Sequence, residues 1–175
     1  HMHIDVRLGG DAAFDQLVAA CRDMGLQVML DGVFNHVSRN HPAVQAALDE
    51  TAGRLNPADN PWHGLVRAHV GDNGEPALDV FEGHGDLVAL DHSADETVDY
   101  VVHVMSHWLD RGAAGWRLDA AYAVPSPFWA RVLPQVKAAH PYSWIFGEVI
   151  HGDYPRIIEE STMDSITQYE LWKSI

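Results

Sequence analysis

The sequence predicts an α/β fold built on a parallel sheet. Three short apolar runs, residues 26–30, 115–118 and 144–147, each end at an acidic residue. Segments with helical periodicity separate these runs, and an alternation of strands and helices is typical of a parallel sheet. Because the carboxyl ends of parallel strands lie on one edge of the sheet, we expect the three acids to converge there.

Composition indicates a globular protein with enough apolar material for a core. Hydrophobic residues make up 47% of the sequence and charged residues 21%, and no apolar run is long enough to cross a membrane. The net charge of −14, from 25 acidic and 11 basic residues, argues against nucleic-acid binding, which needs clustered Lys and Arg. The single cysteine, Cys21, excludes an internal disulfide and is expected in the core.

The first helix is predicted over residues 12–24, before the first strand. Asp11 is the expected N-cap and Gly25 the residue just beyond the C-terminus. Helical spacing places four residues on its apolar face, Phe14, Leu17, Val18 and Cys21.

Residues 37–92 lose this regular pattern and are rich in Pro, Gly, Asn, Asp and His. A loop of that length inside a compact domain is normally functional. The histidines of this region could suggest zinc, but their spacings match no metal pattern and no cysteine cluster accompanies them. We interpret them as scattered loop residues; the candidates are His63, His69, His84 and His92.

Helical periodicity returns after His92, with Ser93 or Asp95 as the N-cap and Arg111-Gly112 as the end. The apolar stripe of this helix is predicted to be core and consists of Val98, Val101, Val102, Met105, Trp108 and Leu109.

Two further helices are expected after residue 118. Ser126-Pro127 is predicted as N-cap and first residue of a helix through Ala139, and Pro134 should kink or split it. A short helix over residues 154–161 precedes a last strand over residues 164–169.

The strand-end residues carry the chemistry. Arg117 and Asp119 are two residues apart on one strand, so they share a face. A guanidinium beside a carboxylate keeps it ionised and oriented, as a nucleophilic Asp requires. Glu148 ends another strand, and a pair of strand-end acids suggests glycoside chemistry. An acid closing an apolar run is often a simple strand end, so the prediction depends on the combination.

Three segments, in this order, resemble conserved regions of the α-amylase family, glycoside hydrolase family 13: DGVFNH from Asp31, GWRLDAA from Gly115 and FGEV from Phe146. Residues 164–169 fall where the family's sixth barrel strand would follow. The resemblance implies part of a (β/α)₈ barrel, about its third to sixth strands. Residues 3–37 and 93–175 would be barrel segments, and residues 38–92 an inserted subdomain after the third strand.

A complete barrel of this kind needs about 250 residues, whereas this chain has 175. The family's seventh-strand His-Asp pair, which supplies a third catalytic acid, has no counterpart in the sequence. We therefore expect a barrel fragment that is inactive in isolation and that pairs with itself or with the remainder of the barrel through its open sheet.

The resemblance implies a role for each residue of the candidate site. Asp119 would be the nucleophile and Glu148 the general acid and base of a retaining mechanism. Arg117 would hold Asp119 in its ionised state.

Supporting roles are implied for four further residues. Asp31 would organise the arginine network and His36 would hydrogen-bond the bound sugar. Asn35 would brace the inserted subdomain, and Asp91 is expected to be structural.

No cofactor is implied as a requirement, although a structural calcium is possible because the family's equivalent of Asn35 often binds one. Calcium takes six to eight oxygen ligands. The subdomain offers acids without a calcium-loop spacing, namely Asp59, Asp72, Glu75, Asp79, Glu82 and Asp86. The identity of any metal stays open.

The leading function is hydrolysis of α-glucans or maltooligosaccharides with retention of configuration. One alternative is transglycosylation or isomerisation of an α-glucoside by the same two acids. Another is a non-catalytic fragment, which the missing third acid favours. Neither nucleic acid nor membrane is an expected partner. No signal segment follows His1-Met2, which slightly favours the cytoplasm, and localisation is otherwise open.

Overall fold

Helices and strands alternate along most of the chain, in a computed structural model that describes all 175 residues. The helices are α1 (Gly10–Asp23), α2 (Pro42–Thr51), α3 (Asp95–Asp110), α4 (Ser126–Ala139), α5 (Tyr154–Ser161) and α6 (Tyr169–Lys173). The strands are β1 (Met29–Gly32), β2 (His36–Ser38), β3 (Ala68–Val70), β4 (Pro76–Leu78), β5 (Leu87–Ala89), β6 (Gly115–Leu118), β7 (Trp144–Gly147) and β8 (Ser165–Ile166). The backbone divides into two units: the first comprises residues 1–32 and 101–175, and the second residues 33–100.

The first unit contains a sheet of four parallel strands in the order β1-β6-β7-β8. The order in space follows the order along the chain, with helices in the connections, as expected for right-handed parallel crossovers. The predicted α/β class with a parallel sheet is confirmed.

Packing of helix α4 accounts for much of the core of the first unit. Its buried side chains recur at helical spacing, and each contributes roughly 1.5–3 kcal/mol through apolar burial; they are Phe128, Trp129, Val132, Leu133 and Val136. Leu118 of β6 and Ile145 of β7 are also fully buried. In α3, all the predicted core residues are buried except Val102, which is half-buried.

The start of the first unit differs from the prediction. Helix α1 begins at Gly10 with Gly9 as N-cap, so Asp11 lies in the first turn. The Asp11 carboxylate instead accepts a hydrogen bond from the Ile4 amide at 2.8 Å and lies 3.4 Å from Arg111. Gly25 has φ +72°, in agreement with its predicted place after the helix. Leu17, predicted on the apolar face, is 52% exposed.

The later elements are predicted more closely. Helix α4 begins at Ser126 itself with Pro125 as N-cap, one residue before the prediction, and Pro134 does not split it. The buried face of α4 holds the helix together on both sides of that proline. Helix α5 matches the predicted bounds, but the last strand is only Ser165–Ile166, and Tyr169 begins α6.

The second unit has regular structure that the sequence pattern did not indicate. Strands β2 and β5 pair antiparallel, as do β3 and β4, each over three residues. Helix α2 packs its small apolar residues into a local core with residues of β2 and β5; this core includes Val37, Ala43, Val44, Leu65, Val88 and Leu90. Three-residue strands are too short to show a period in sequence.

None of the helices combines the length and the apolar character needed to span a membrane.

Gly115 sits where two backbones approach closely, and its replacement tests the sheet. A Cβ atom at this position would overlap the carbonyl oxygen of Trp144 on the neighbouring strand. We expect Gly115→Ala to lower the free energy of unfolding by roughly 2 kcal/mol or more, because backbone cannot yield as a flexible side chain can. Urea unfolding monitored by circular dichroism measures the change. The control is Gly85→Ala, where a Cβ meets nothing within 4 Å; equal losses in both variants would contradict the argument.

Candidate active site

Arg117 is the centre of a cluster of three carboxylates. Its Nη1 lies 2.7 Å and 2.9 Å from the two oxygens of Asp31 and 2.6 Å from Oδ1 of Asp119. Its Nη2 lies 2.9 Å from Oε1 of Glu148. One planar guanidinium therefore binds Asp31, the residue before the last of β1, and the two acids that directly follow β6 and β7.

The parallel register explains why these residues meet. Asp31 is the register partner of Arg117 in the β1–β6 pair. Asp119 lies two residues beyond Arg117 and shares its face, and the Asp119 amide donates to the Gly32 carbonyl at 3.0 Å. The Glu148 amide donates to the Leu118 carbonyl at 2.8 Å, which aligns the end of β7 with the end of β6.

Burial and charge make Arg117 a fixed cation. Its side chain is 25% exposed, against 17% for Glu148, 28% for Asp119 and 61% for Asp31. Burial lowers the pKa of Arg117. Its hydrogen bonds to Asp31 and Asp119, together with the charges of Asp31 and Glu148, raise that pKa by more than burial lowers it, so the net shift is upward. The guanidinium stays charged at every pH at which the protein is folded.

Both carboxylate oxygens of Glu148 accept hydrogen bonds from groups other than the arginine. Tyr169 donates its hydroxyl to Oε1 at 3.1 Å, and the Ala120 amide donates to Oε2 at 3.1 Å. Ala120 adopts φ +45°, in the left-handed region that non-glycine residues seldom occupy. Such backbone strain commonly marks functional sites.

Tyr169 and Ala120 are the two contributors that the sequence interpretation missed. Tyr169 is predicted as part of the last strand, and its position shortly after β8 is the available signal, because Asp119 and Glu148 also lie just beyond strand ends. Ala120 contributes only its backbone amide, for which the sequence carries no signal.

The remaining predicted residues lie in the second unit. The side chains of Asn35 and His36 are buried and 3.2 Å apart, and His36 stacks on Phe81 with ring centroids 5.0 Å apart. Asp91 accepts hydrogen bonds from the amide and the hydroxyl of Ser93 at 3.0 Å and 2.6 Å. These contacts are local to residues 33–100.

The acids and histidines of the second unit do not fit a metal site. No three His, Cys, Asp or Glu side chains of the chain are grouped so that they could hold an ion. Asp79 lies 3.6 Å from Arg67 and 3.3 Å from His69 instead. His92 is buried and donates to the Phe34 carbonyl at 2.9 Å, and burial lowers its pKa. The carboxylates that calcium would need are dispersed.

Comparison with known proteins gives consistent relatives. The α-amylase catalytic-domain family matches residues 1–82. A cyclomaltodextrinase of a Bacillus species is 27% identical over 100% of this chain and 31% of its own length. A maltogenic α-amylase of Bacillus acidopullulyticus is 28% identical over 100% of this chain and 29% of its own length. The chain thus spans less than a third of the length of these relatives.

Solved structures share the fold. The protein Ttha1563 from Thermus thermophilus superposes with a TM-score of 0.80 at 28% identity, over 97% of this chain and 35% of the other. A cyclomaltodextrinase structure superposes with a TM-score of 0.79 at 27% identity, over 95% of this chain and 28% of the other. A third structure is the cyclic α-maltosyl-(1→6)-maltose hydrolase of Arthrobacter globiformis in complex with cyclic α-maltosyl-(1→6)-maltose. Its TM-score is 0.79 at 25% identity, over 95% of this chain and 37% of the other.

Removing the arginine should destabilise the first unit strongly. Arg117→Leu leaves three carboxylates facing one another without their cation, and the loss of one partner from a buried ion pair costs several kcal/mol. We expect the free energy of unfolding to fall by roughly 3 kcal/mol, at the low end of that range because the cluster is partly exposed. The control is Arg156→Leu, which breaks the exposed pair with Glu160. Chemical denaturation of both variants provides the measurement, and an unchanged midpoint for Arg117→Leu would contradict the described cluster.

Proposed function

Because this chain belongs to the α-amylase family, as part of its catalytic domain, we propose that the protein containing it is a retaining glycoside hydrolase acting on α-glucans or maltooligosaccharides. The observation that carries the proposal is the binding of both Asp119 and Glu148 to one guanidinium, that of Arg117. Retaining hydrolysis needs two carboxyl groups about 5–5.5 Å apart. Contacts with neighbouring nitrogens of a single planar group support such a short separation.

In the proposed mechanism, Asp119 attacks the anomeric carbon while the bond from that carbon to the leaving oxygen breaks. Glu148 gives its proton to the leaving oxygen, and a glycosyl ester on Asp119 results. Water then attacks the same carbon while Glu148 takes a proton from that water, and the Asp119 carboxylate is released. The two carboxyl groups thus carry both steps between them.

The geometry suits Asp119 to the role of nucleophile. The bond from Arg117 engages Oδ1, and Oδ2 is not part of that contact. A neighbouring guanidinium favours the charged form of a carboxylate and fixes its direction. One oxygen can therefore be held while the other reacts.

We extend the proposal to the fold and the supporting residues. Strands β1, β6, β7 and β8 would be the third to sixth strands of a (β/α)₈ barrel, and residues 38–92 the inserted subdomain. The sequential parallel order of these strands and the separate unit of residues 33–100 support this assignment. Asp31 and His36 would bind substrate directly or through the arginine network, and Asn35 and Asp91 would be structural.

The isolated 175-residue chain should not hydrolyse α-glucans and should self-associate. Strands β1 and β8 are the edges of its sheet and offer unpaired backbone groups. Exposed apolar side chains include Leu26 at 56%, which precedes β1 in the sequence, and Trp172 at 77%, in the helix that follows β8. Multi-angle light scattering and a reducing-sugar assay test both expectations. A monomer with turnover would refute them, whereas addition of the remaining barrel as a second chain should suppress the association.

Conservative replacement of either acid should abolish turnover without unfolding the enzyme. In the complete enzyme, we expect Asp119→Asn and Glu148→Gln each to reduce kcat by about 100-fold or more, because a nucleophile or a proton donor is lost. The matched control is Glu159→Gln, an exposed acid on α5. Circular dichroism checks the fold. Near-normal activity in either variant would show that the acids are wrongly assigned.

Analysis of the products from maltooligosaccharides decides between hydrolysis and transglycosylation. Water and a second sugar compete for the same glycosyl ester, so longer oligosaccharides among the early products would mark transfer.

A further inference from the structure

Tyr169 contacts the candidate general acid from a separate element. Helix α6 begins at this residue, shortly after the end of β8. Its hydroxyl lies 3.1 Å from Oε1 of Glu148, and the side chain is partly open to solvent. The proposed mechanism assigns no task to this contact.

The partners of Glu148 differ in what they can do when its protonation state changes. Arg117 and the Ala120 amide only donate hydrogen bonds. Both are also fixed, the first by Asp31 and Asp119 and the second by the backbone. A tyrosine hydroxyl can donate to a carboxylate and can accept from a carboxylic acid. Among these contacts, Tyr169 is thus the partner suited to both forms of Glu148.

We propose that Tyr169 is a positioning residue that holds Glu148 in both of its protonation states and so sets the pH range of catalysis. The inference rests on the proposed function. The hydroxyl would accept a hydrogen bond from the acid and donate one to the carboxylate. This change of role fits the two steps, because Glu148 must give up a proton in the first and recover one in the second.

The contact also acts on the tyrosine. The hydrogen bond to Glu148, and then the negative charge of Glu148, raise the pKa of Tyr169, although Arg117 opposes this. The charged groups around the pair are Arg117 on β6, with Asp31 and Asp119 bound to it, while Glu170 and Lys173 belong to α6 itself. All of them are retained in a Tyr169→Phe variant.

The first test is the pH dependence of kcat/KM for Tyr169→Phe in the complete enzyme. Charge-assisted hydrogen bonds are stronger than neutral ones, so loss of the hydroxyl penalises the carboxylate more than the acid. We expect the alkaline limb of the profile to move upward by about 0.5–1 pH unit. The control is Tyr142→Phe, which should leave the profile unchanged because the Tyr142 side chain is 98% exposed and lies before β7, outside the cluster.

The second test needs no activity. Phenolate absorbance is measured against pH in the wild-type protein and in the Tyr169→Phe variant. The difference between the two absorbance curves reports the titration of Tyr169 alone. The same difference is then measured with Glu148→Gln in both proteins. We expect the pKa of Tyr169 to be lower with the neutral amide, because the charge that raises it is gone.

The outcomes separate the two hypotheses. An active Tyr169→Phe enzyme whose alkaline limb does not move, or a Tyr169 titration that ignores Glu148→Gln, would overturn the inference and leave the proposed function standing. Wild-type enzyme without α-glucan turnover would overturn the proposed function, and with it the catalytic part of the inference.

Discussion

The contact of Arg117 with three carboxylates is the interaction on which the candidate site depends. Each acid comes from a different strand or from just beyond one, so the guanidinium joins β1, β6 and β7 at their carboxyl ends. Without a cation there, three acids at one edge of a sheet would repel one another. The arginine lets a sheet carry several acids side by side, which makes the chemistry of a carboxylate pair compatible with a stable fold.

Close packing of the strands makes this convergence possible. Gly115 is the first residue of β6 and lets the backbone of β7 approach, whereas Gly147 is the last residue of β7 and leaves room for neighbouring side chains. A Cβ on Gly147 would lie 2.6 Å from the Met163 sulfur and 2.9 Å from Ala121. The glycines of the GWRLD and FGE segments are therefore required because a Cβ atom would clash with neighbouring atoms. The acids that follow them lie together because the parallel strands all end at the same edge of the sheet.

Sequence reasoning identified the parallel sheet and the acids at strand ends, because both depend on short-range patterns that packing reinforces. The pairing of Asp31 with Arg117, residues far apart in sequence, follows from the parallel register and could be anticipated only in outline. Short strands such as β3 were missed, since three residues carry no period. The predicted N-cap at Asp11 is wrong because the helix begins one residue earlier, at Gly10, and the Asp11 carboxylate binds the Ile4 amide and lies near Arg111 instead. Contacts made by a backbone amide, as at Ala120, lie beyond any reading of residue types.

The left-handed backbone at Ala120 restricts which sequences can build this site. Its amide follows Asp119 directly and binds Glu148, so the two acids share one rigid peptide. Branched side chains at Cβ are strongly disfavoured at such a φ, whereas glycine and asparagine tolerate it. Variation at position 120 should thus be confined to small or αL-tolerant residues even though its side chain takes no part in the proposed chemistry. A search for relatives that retain this geometry could use that narrow choice beside the acids themselves.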